Sequence, residues 1–154
     1  MNVDLHVHSR LSKMFEFDAE SVERLARLGR RRGLDGFALT EHIHAVNFWE
    51  MHEELSQRYP YRDGAYHLNE LDGFAVLSGA EVTVQERVDF IVVGPIDQLR
   101  ALDMAFSPRL SEWNHAPAVE LLVAIGGLDL VAILAHPFRA GKETASSSHA
   151  SSIS

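Results

Sequence analysis

The sequence contains no cysteine, so no disulfide braces the fold and no thiolate ligates a metal; histidine, aspartate and glutamate are the only side chains left for that task. It has no uninterrupted apolar stretch approaching the roughly 20 residues of a membrane span. The N-terminus also lacks a basic region leading into an apolar one. Together these absences set the expectation of a cytoplasmic protein that engages no membrane. Positive charge is scarce as well: 14 Lys and Arg stand against 22 Asp and Glu, a formal net charge of −8, which argues against broad nucleic-acid binding. A phosphorylated small molecule or a nucleotide stays open as substrate, because bound divalent ions can reverse the sign of the field in a cleft. No linker, internal repeat or second domain interrupts the 154 residues, a length sufficient for one hydrophobic core.

What the chain does have is Asp4-Leu5-His6-Val7-His8-Ser9. On a strand, side chains two apart share a face, so His6 and His8 lie side by side as a pair of imidazoles able to fill half of a four-coordinate metal site. Taken alone, the pair reads equally as two ordinary half-buried histidines. Three further segments repeat its layout. Phe37-Ala38-Leu39-Thr40-Glu41-His42 is an apolar run ending in polar groups, Ala75 to Thr83 carries Glu81 in the same place, and Leu130 to Pro137 ends in His136 and a strand-stopping proline. Short, nearly continuous apolar runs read as buried parallel strands. In α/β barrels and open α/β sheets, the carboxyl ends of such strands are where ligands collect.

In these four motifs, Asp4 to Ser9, Thr40-Glu41-His42, Gly79 to Thr83 and Ala135-His136-Pro137, the chain resembles the PHP (polymerase and histidinol phosphatase) family of metal-dependent phosphoesterases. The resemblance covers nearly the whole chain. It implies an α/β fold, a distorted TIM-like barrel of β/α units, with a cluster of divalent ions at the strands' carboxyl ends. It makes His6, His8, His42, Glu81 and His136 metal ligands, with Glu81 bridging two ions. A shared carboxylate offsets the repulsion between two cations and fixes the spacing needed to hold attacking and leaving oxygens. Asp4 and Glu41 are read either as groups that orient a ligand imidazole through its other nitrogen or as solvated or capping carboxylates.

Several positions depart from the family pattern. Lys13-Met14-Phe15 replaces an expected ligand after the first motif, leaving Glu16 or Asp18 as substitutes. Asp89 stands where the family often has histidine, ahead of the apolar run Phe90 to Gly94; as an oxygen ligand it favours a harder ion such as manganese. Arg139 is read as a bidentate phosphate contact or as a surface arginine. A final Asp-x-His motif is missing, and Ser146 to Ser154 is a serine-rich tail expected to be disordered. The expected organisation is therefore a PHP-like domain over 1–145, incomplete at its C-terminal end, followed by that tail. One or two bound ions, zinc, manganese or iron, are expected, with hydrolysis of phosphoesters through metal-activated water. The competing reading is a non-catalytic metal-binding domain derived from the same fold. An unfinished barrel also exposes strand edges, which self-association into a homo-oligomer would cover.

Helices complete the alternation. Asp18 caps a predicted helix from Ala19 to Arg32, stopped by Gly33, with Val22, Leu25, Ala26 and Leu28 as its apolar stripe. Asn47, with Glu50 three residues on, caps a second helix through Arg58 in which Phe48, Met51, Leu55 and His52 face the core. Tyr59 to Gly73 reads as an irregular loop, Asp97 to Met104 as a short helix, and Pro117 as the first turn of another ending near Gly126. Between the last two, Ala105 to Ala116 reads as a loop over the site.

Overall fold

The computed structural model describes residues 1–9, 17–106, 109–111 and 114–136. Along the chain come β1 (Val3–Val7), α1 (Ala19–Arg31), β2 (Gly36–Leu39), α2 (Phe48–Arg58), β3 (Tyr61–Arg62), β4 (Ala65–Leu68), a 3-10 turn at Asn69–Leu71, β5 (Phe74–Thr83) and β6 (Asp89–Val93). There follow α3 (Ile96–Phe106), β7 (Leu110–Ser111), β8 (Asn114–His115), α4 (Ala118–Ile125) and β9 (Val131–Ala135). Arg139, the substitute ligand Glu16 and the serine-rich tail lie outside the described residues.

β5 organises the sheet because it is long enough to serve two sets of neighbours. Its first half lies between β2, parallel, with Gly36 to Leu39 opposite Ala75 to Ser78, and β4, antiparallel, with Leu68 opposite Phe74. Its second half pairs antiparallel with β6, Gly79 to Thr83 against Val93 to Asp89, and on the other side meets His42 through a bridge to Glu81. β1 adds parallel to β2, and β9 adds antiparallel to β6. The four motif strands therefore all run the same way and deliver their polar ends to one end of the sheet. Gly79 makes the exchange of neighbours possible: a Cβ there would meet Thr40 Cγ2 at 3.0 Å, the Val92 carbonyl at 3.1 Å and the Leu39 carbonyl at 3.3 Å.

The result is a mixed α/β fold with a curled, half-barrel sheet, not the uniform β/α repeat expected. Two differences have local causes. The predicted loop from Tyr59 to Gly73 contains the β3–β4 hairpin, whose turn residues Asp63 and Gly64 both have positive φ (52° and 74°), the conformation that two-residue hairpins demand. β6 runs antiparallel because only residues 84–88 separate it from β5, too few for a crossover to a parallel strand. The outer strands also differ from the buried reading. Leu5 of β1 is 41% exposed and Val131 of β9 62% exposed, since among the described residues the face each presents is left uncovered.

The core lies between the sheet and α1, α2, α3 and α4, where Phe37, Leu39, Phe48, Met51, Leu55, Phe74, Val76, Leu99 and Leu121 are buried together. α1 begins as its cap predicts, with Asp18 Oδ1 accepting the Glu20 N–H at 3.0 Å. Its buried face runs through Val22, Ala26 and Gly29, leaving Leu28 half exposed. α2 starts at Phe48, but the Asn47 side chain makes no capping bond. Pro117 is the residue before α4, and the Ala118 N–H is taken up by Glu86 Oε2 at 2.9 Å. Among the described residues, no helix is long and apolar enough to cross a membrane.

Candidate metal centre

Glu81 sits in the second half of β5 with its side chain only 3% exposed. Histidines from three other segments surround its carboxylate. Oε2 lies 3.1 Å from His8 Nε2 and 3.4 Å from His42 Nδ1, while Oε1 lies 3.9 Å from His136 Nδ1. His6 completes the group, its Nε2 3.0 Å from His136 Nε2. The structure thus brings together five of the expected ligands: His6, His8, His42, Glu81 and His136. One donor atom each of His6, Glu81 and His136 can be chosen so that all lie within 4.8 Å of one another. Two donors each about 2.1 Å from a zinc ion, at the tetrahedral angle, stand about 3.4 Å apart. The donor set therefore suits a divalent cation in chemistry, and His6, Glu81 and His136 stand close enough that small side-chain adjustments would bring them to one ion.

Neighbouring side chains fix which imidazole nitrogen faces inward. Thr40 Oγ1 lies 3.3 Å from the Val7 carbonyl, which can only accept, and 2.9 Å from His6 Nδ1. With the threonine proton given to Val7, His6 Nδ1–H donates to Thr40, and Nε2 presents its lone pair to the site. Glu41 orients His8: its Oε2 lies 3.4 Å from His8 Nδ1, which turns Nε2 toward Glu81. The other oxygen of Glu41 accepts the Ser9 N–H at 2.5 Å and the Ser9 hydroxyl at 2.6 Å. Glu41, 1% exposed, is therefore an orienting group. Asp4 is not: it is exposed, and its Oδ1 accepts the His6 main-chain N–H at 3.0 Å. Thr40's part was missed in the sequence, although its place directly before Glu41-His42 put it within reach.

The electrostatics follow from this crowding. Hydrogen bonds to Glu41 and then Glu81 raise His8 to about 9, against the opposing pull of burial. Burial alone would push Glu81 upward, but the His8 hydrogen bond and the charges of His42, His8 and His6 outweigh it and hold the carboxyl near 2. Burial, then the His8 charge, lower His6. Glu81 ionised and His6 neutral are in the protonation states that bind metal, whereas His8 is held protonated between its two carboxylates and would give up that proton on ligating an ion. His136 reaches the site by adopting the left-handed backbone conformation, φ 46°, at a cost of about 1–2 kcal/mol for a residue with a Cβ.

Asp89 is buried at the start of β6, where it pairs with Ala135, the residue before His136. It faces Thr83 across the ladder and accepts the Thr83 hydroxyl at 2.8 Å, two rungs from Glu81 on the same face of the sheet, or about 7 Å. Asp18 is engaged in capping α1 and in an ion pair with Arg24 at 2.9 Å. His44 was also missed in the sequence; its ring lies 5.4 Å from that of His42. The cleft beside His8 and Ser9 is lined by Arg24.

Solved structures share this fold. The lesion-specific endonuclease Q of Pyrococcus furiosus superposes with a TM-score of 0.66 at 23% identity, covering 88% of this chain and 34% of that one. PsfC of Pseudomonas syringae PB-5123 gives 0.65 at 28% identity, with 87% and 55% covered. Endonuclease Q in complex with a 27-mer duplex substrate bearing an abasic lesion at the active site gives 0.64 at 22% identity, with 89% and 35% covered. The chain thus spans from about a third to just over half the length of these proteins. No protein-family model and no curated protein matches it.

The endonuclease complex corrects one expectation. Net charge of −8 argued against broad nucleic-acid binding, yet endonuclease Q, a protein that has this fold over 35% of its length, is solved with a duplex DNA substrate. Net charge sums over the whole surface, whereas a phosphate backbone responds to the field in the groove that receives it.

Proposed function

We propose that this chain is a metal-dependent hydrolase of phosphodiesters in nucleic acid, with a PHP-type half-barrel as its scaffold. The observation that carries the reading is the convergence of His6, His8, His42 and His136 on the one buried carboxylate of Glu81. In this reading those five side chains would hold one or two divalent ions, with Asp89 a candidate further ligand. Bound ions supply an acidified water and polarise the phosphoryl oxygens. The chain's own work is orientation. Thr40 and Glu41 hold His6 and His8 with a single nitrogen inward, and the burial of Glu81 keeps competing water from its oxygens. Arg24, on the cleft beside His8, offers a guanidinium to the phosphate backbone. The likeness to endonuclease Q supports duplex DNA carrying a lesion as the substrate class to test first.

The test is cleavage of a duplex oligonucleotide containing one abasic site, with manganese or zinc added to chelator-treated protein, beside elemental analysis of the protein as purified. Metal-dependent cleavage that Glu81→Ala abolishes is the expected result. Stoichiometric metal with no cleavage of lesion-bearing or intact DNA would leave a metal-binding domain and overturn the hydrolase reading.

A further inference from the structure

The geometry points to a second small-molecule site, at the far end of β5 from Glu81, shaped for a small zwitterion of the amino-acid class. It is a recess of about 190 Å³ between α1, the end of α2 and the turn after β4. Leu68 in its wall pairs with Phe74, the first residue of β5, so the recess and Glu81 are roughly 20 Å apart along the strand at about 3.3 Å per residue.

Three features define the ligand. His67 lines the recess, and its Nε2 is buried with no hydrogen-bond partner among the described residues. That nitrogen is closed to solvent, so the ring is packed into the wall of the recess, where it would sense an occupant through its other atoms. Next, the lining includes two arginines from different helices, Arg27 and Arg58. Arg27 of α1 approaches Glu23 only to 3.8 Å, and Arg58 at the end of α2 engages Glu54 through one nitrogen at 2.8 Å. A guanidinium carries five N–H donors, so both retain capacity for a carboxylate. Finally, the rim also carries Glu23 and Glu70. Glu23 is engaged by the Tyr59 hydroxyl at 2.5 Å, which leaves Glu70 to face an ammonium group. Two cations and two anions cancel, so a simple anion or a simple cation would each meet one repelling pair. A molecule bearing both charges meets neither. The remaining wall, with Leu68 and Leu71, is apolar and suits a short aliphatic side chain.

A thermal-shift panel of the twenty standard amino acids on the full chain, followed by NMR titration of the His67 ring with those that score, tests the site. At least one amino acid should bind saturably with a Kd at or below about 1 mM and move the His67 resonances. Arg58→Gln and Glu70→Gln should each weaken it about tenfold or more, and Glu81→Ala should leave it unchanged. Acetate and methylammonium, each with one of the two charges, should bind far more weakly. No response from any amino acid, or acetate binding as tightly as the best of them, or loss of binding in Glu81→Ala, would overturn the proposal.

Discussion

His6 Nε2 and His136 Nε2 stand 3.0 Å apart, although 130 residues separate them and their strands, β1 and β9, are the outermost of the curled sheet. Neutral imidazoles can satisfy such a contact only if one nitrogen donates, whereas a shared cation satisfies both lone pairs at once. A divalent ion is therefore expected to tie the two edges together. At about a hundred times its Kd, an ion bound only by the folded state adds about 2.7 kcal/mol, or roughly 5–10 °C in Tm for a chain of this size. Thermal melts with zinc or manganese against melts with chelator should show that gain in the native chain and its loss in His136→Ala.

Thr40 and Glu41 touch imidazoles, not the space between them. Replacing either with an isostere, Thr40→Val or Glu41→Gln, should leave the fold intact and weaken metal binding by about 10–100-fold. Competition against a chelator of known affinity measures this directly. An unchanged affinity in both variants would remove them from the orienting role.

His52 is fully buried beneath α2, its Nδ1 2.9 Å from the Tyr66 hydroxyl. Burial, with the Arg100 charge second, lowers it to about 3. The unfolded chain, with an ordinary value of 6.5, takes up that proton first, so the stabilisation from keeping His52 neutral is whole above pH 6.5 and is lost as pH falls from there toward 3. Each pH unit in that window is worth about 1.4 kcal/mol. Urea unfolding of chelator-treated protein at pH 7 and pH 5 should show a smaller acid loss in His52→Leu than in the native chain. Equal losses would mean that His52 does not titrate as its burial demands.

Gly79→Ala tests the point where β5 changes neighbours. Three atoms crowd the space its Cβ would need, two of them main-chain carbonyls that cannot swing away. A loss of about 1–3 kcal/mol is expected from overpacking of this kind. Because the third atom belongs to Thr40, weaker metal binding should accompany the loss, readable as a denaturation midpoint and a metal titration on the same sample.

Much of the centre was legible because its ligands end apolar runs, and the β period alone put His6 and His8 on one face. Glu81 and His136 followed by the same layout. The hairpin was legible too, but unread: Asp63-Gly64 is a strong two-residue turn signal, and the glycines and proline around it suggested an irregular loop instead. The direction of β6 was carried by the shortness of 84–88. Exposure of β1 and β9 was not legible, since an apolar strand looks the same in sequence whether its face is covered or open. The place of Thr40 beside Glu41-His42 was legible, but which imidazole it touches was not, since that depends on the register of β1 against β2. The charge-based argument against broad nucleic-acid binding erred by applying a whole-chain sum to one cleft.

The strands that carry the ligands differ in how firmly they are held. Glu81 lies where β5 is flanked on both sides, by His42 and by β6, so its surrounding amides can exchange with solvent only when the whole sheet gives way. His6 and His136 sit on or just past strands paired along one edge, which open at much lower cost. An ion held by these residues would then enter and leave without unfolding of the core, its residence time set by the two edges rather than by the buried carboxylate.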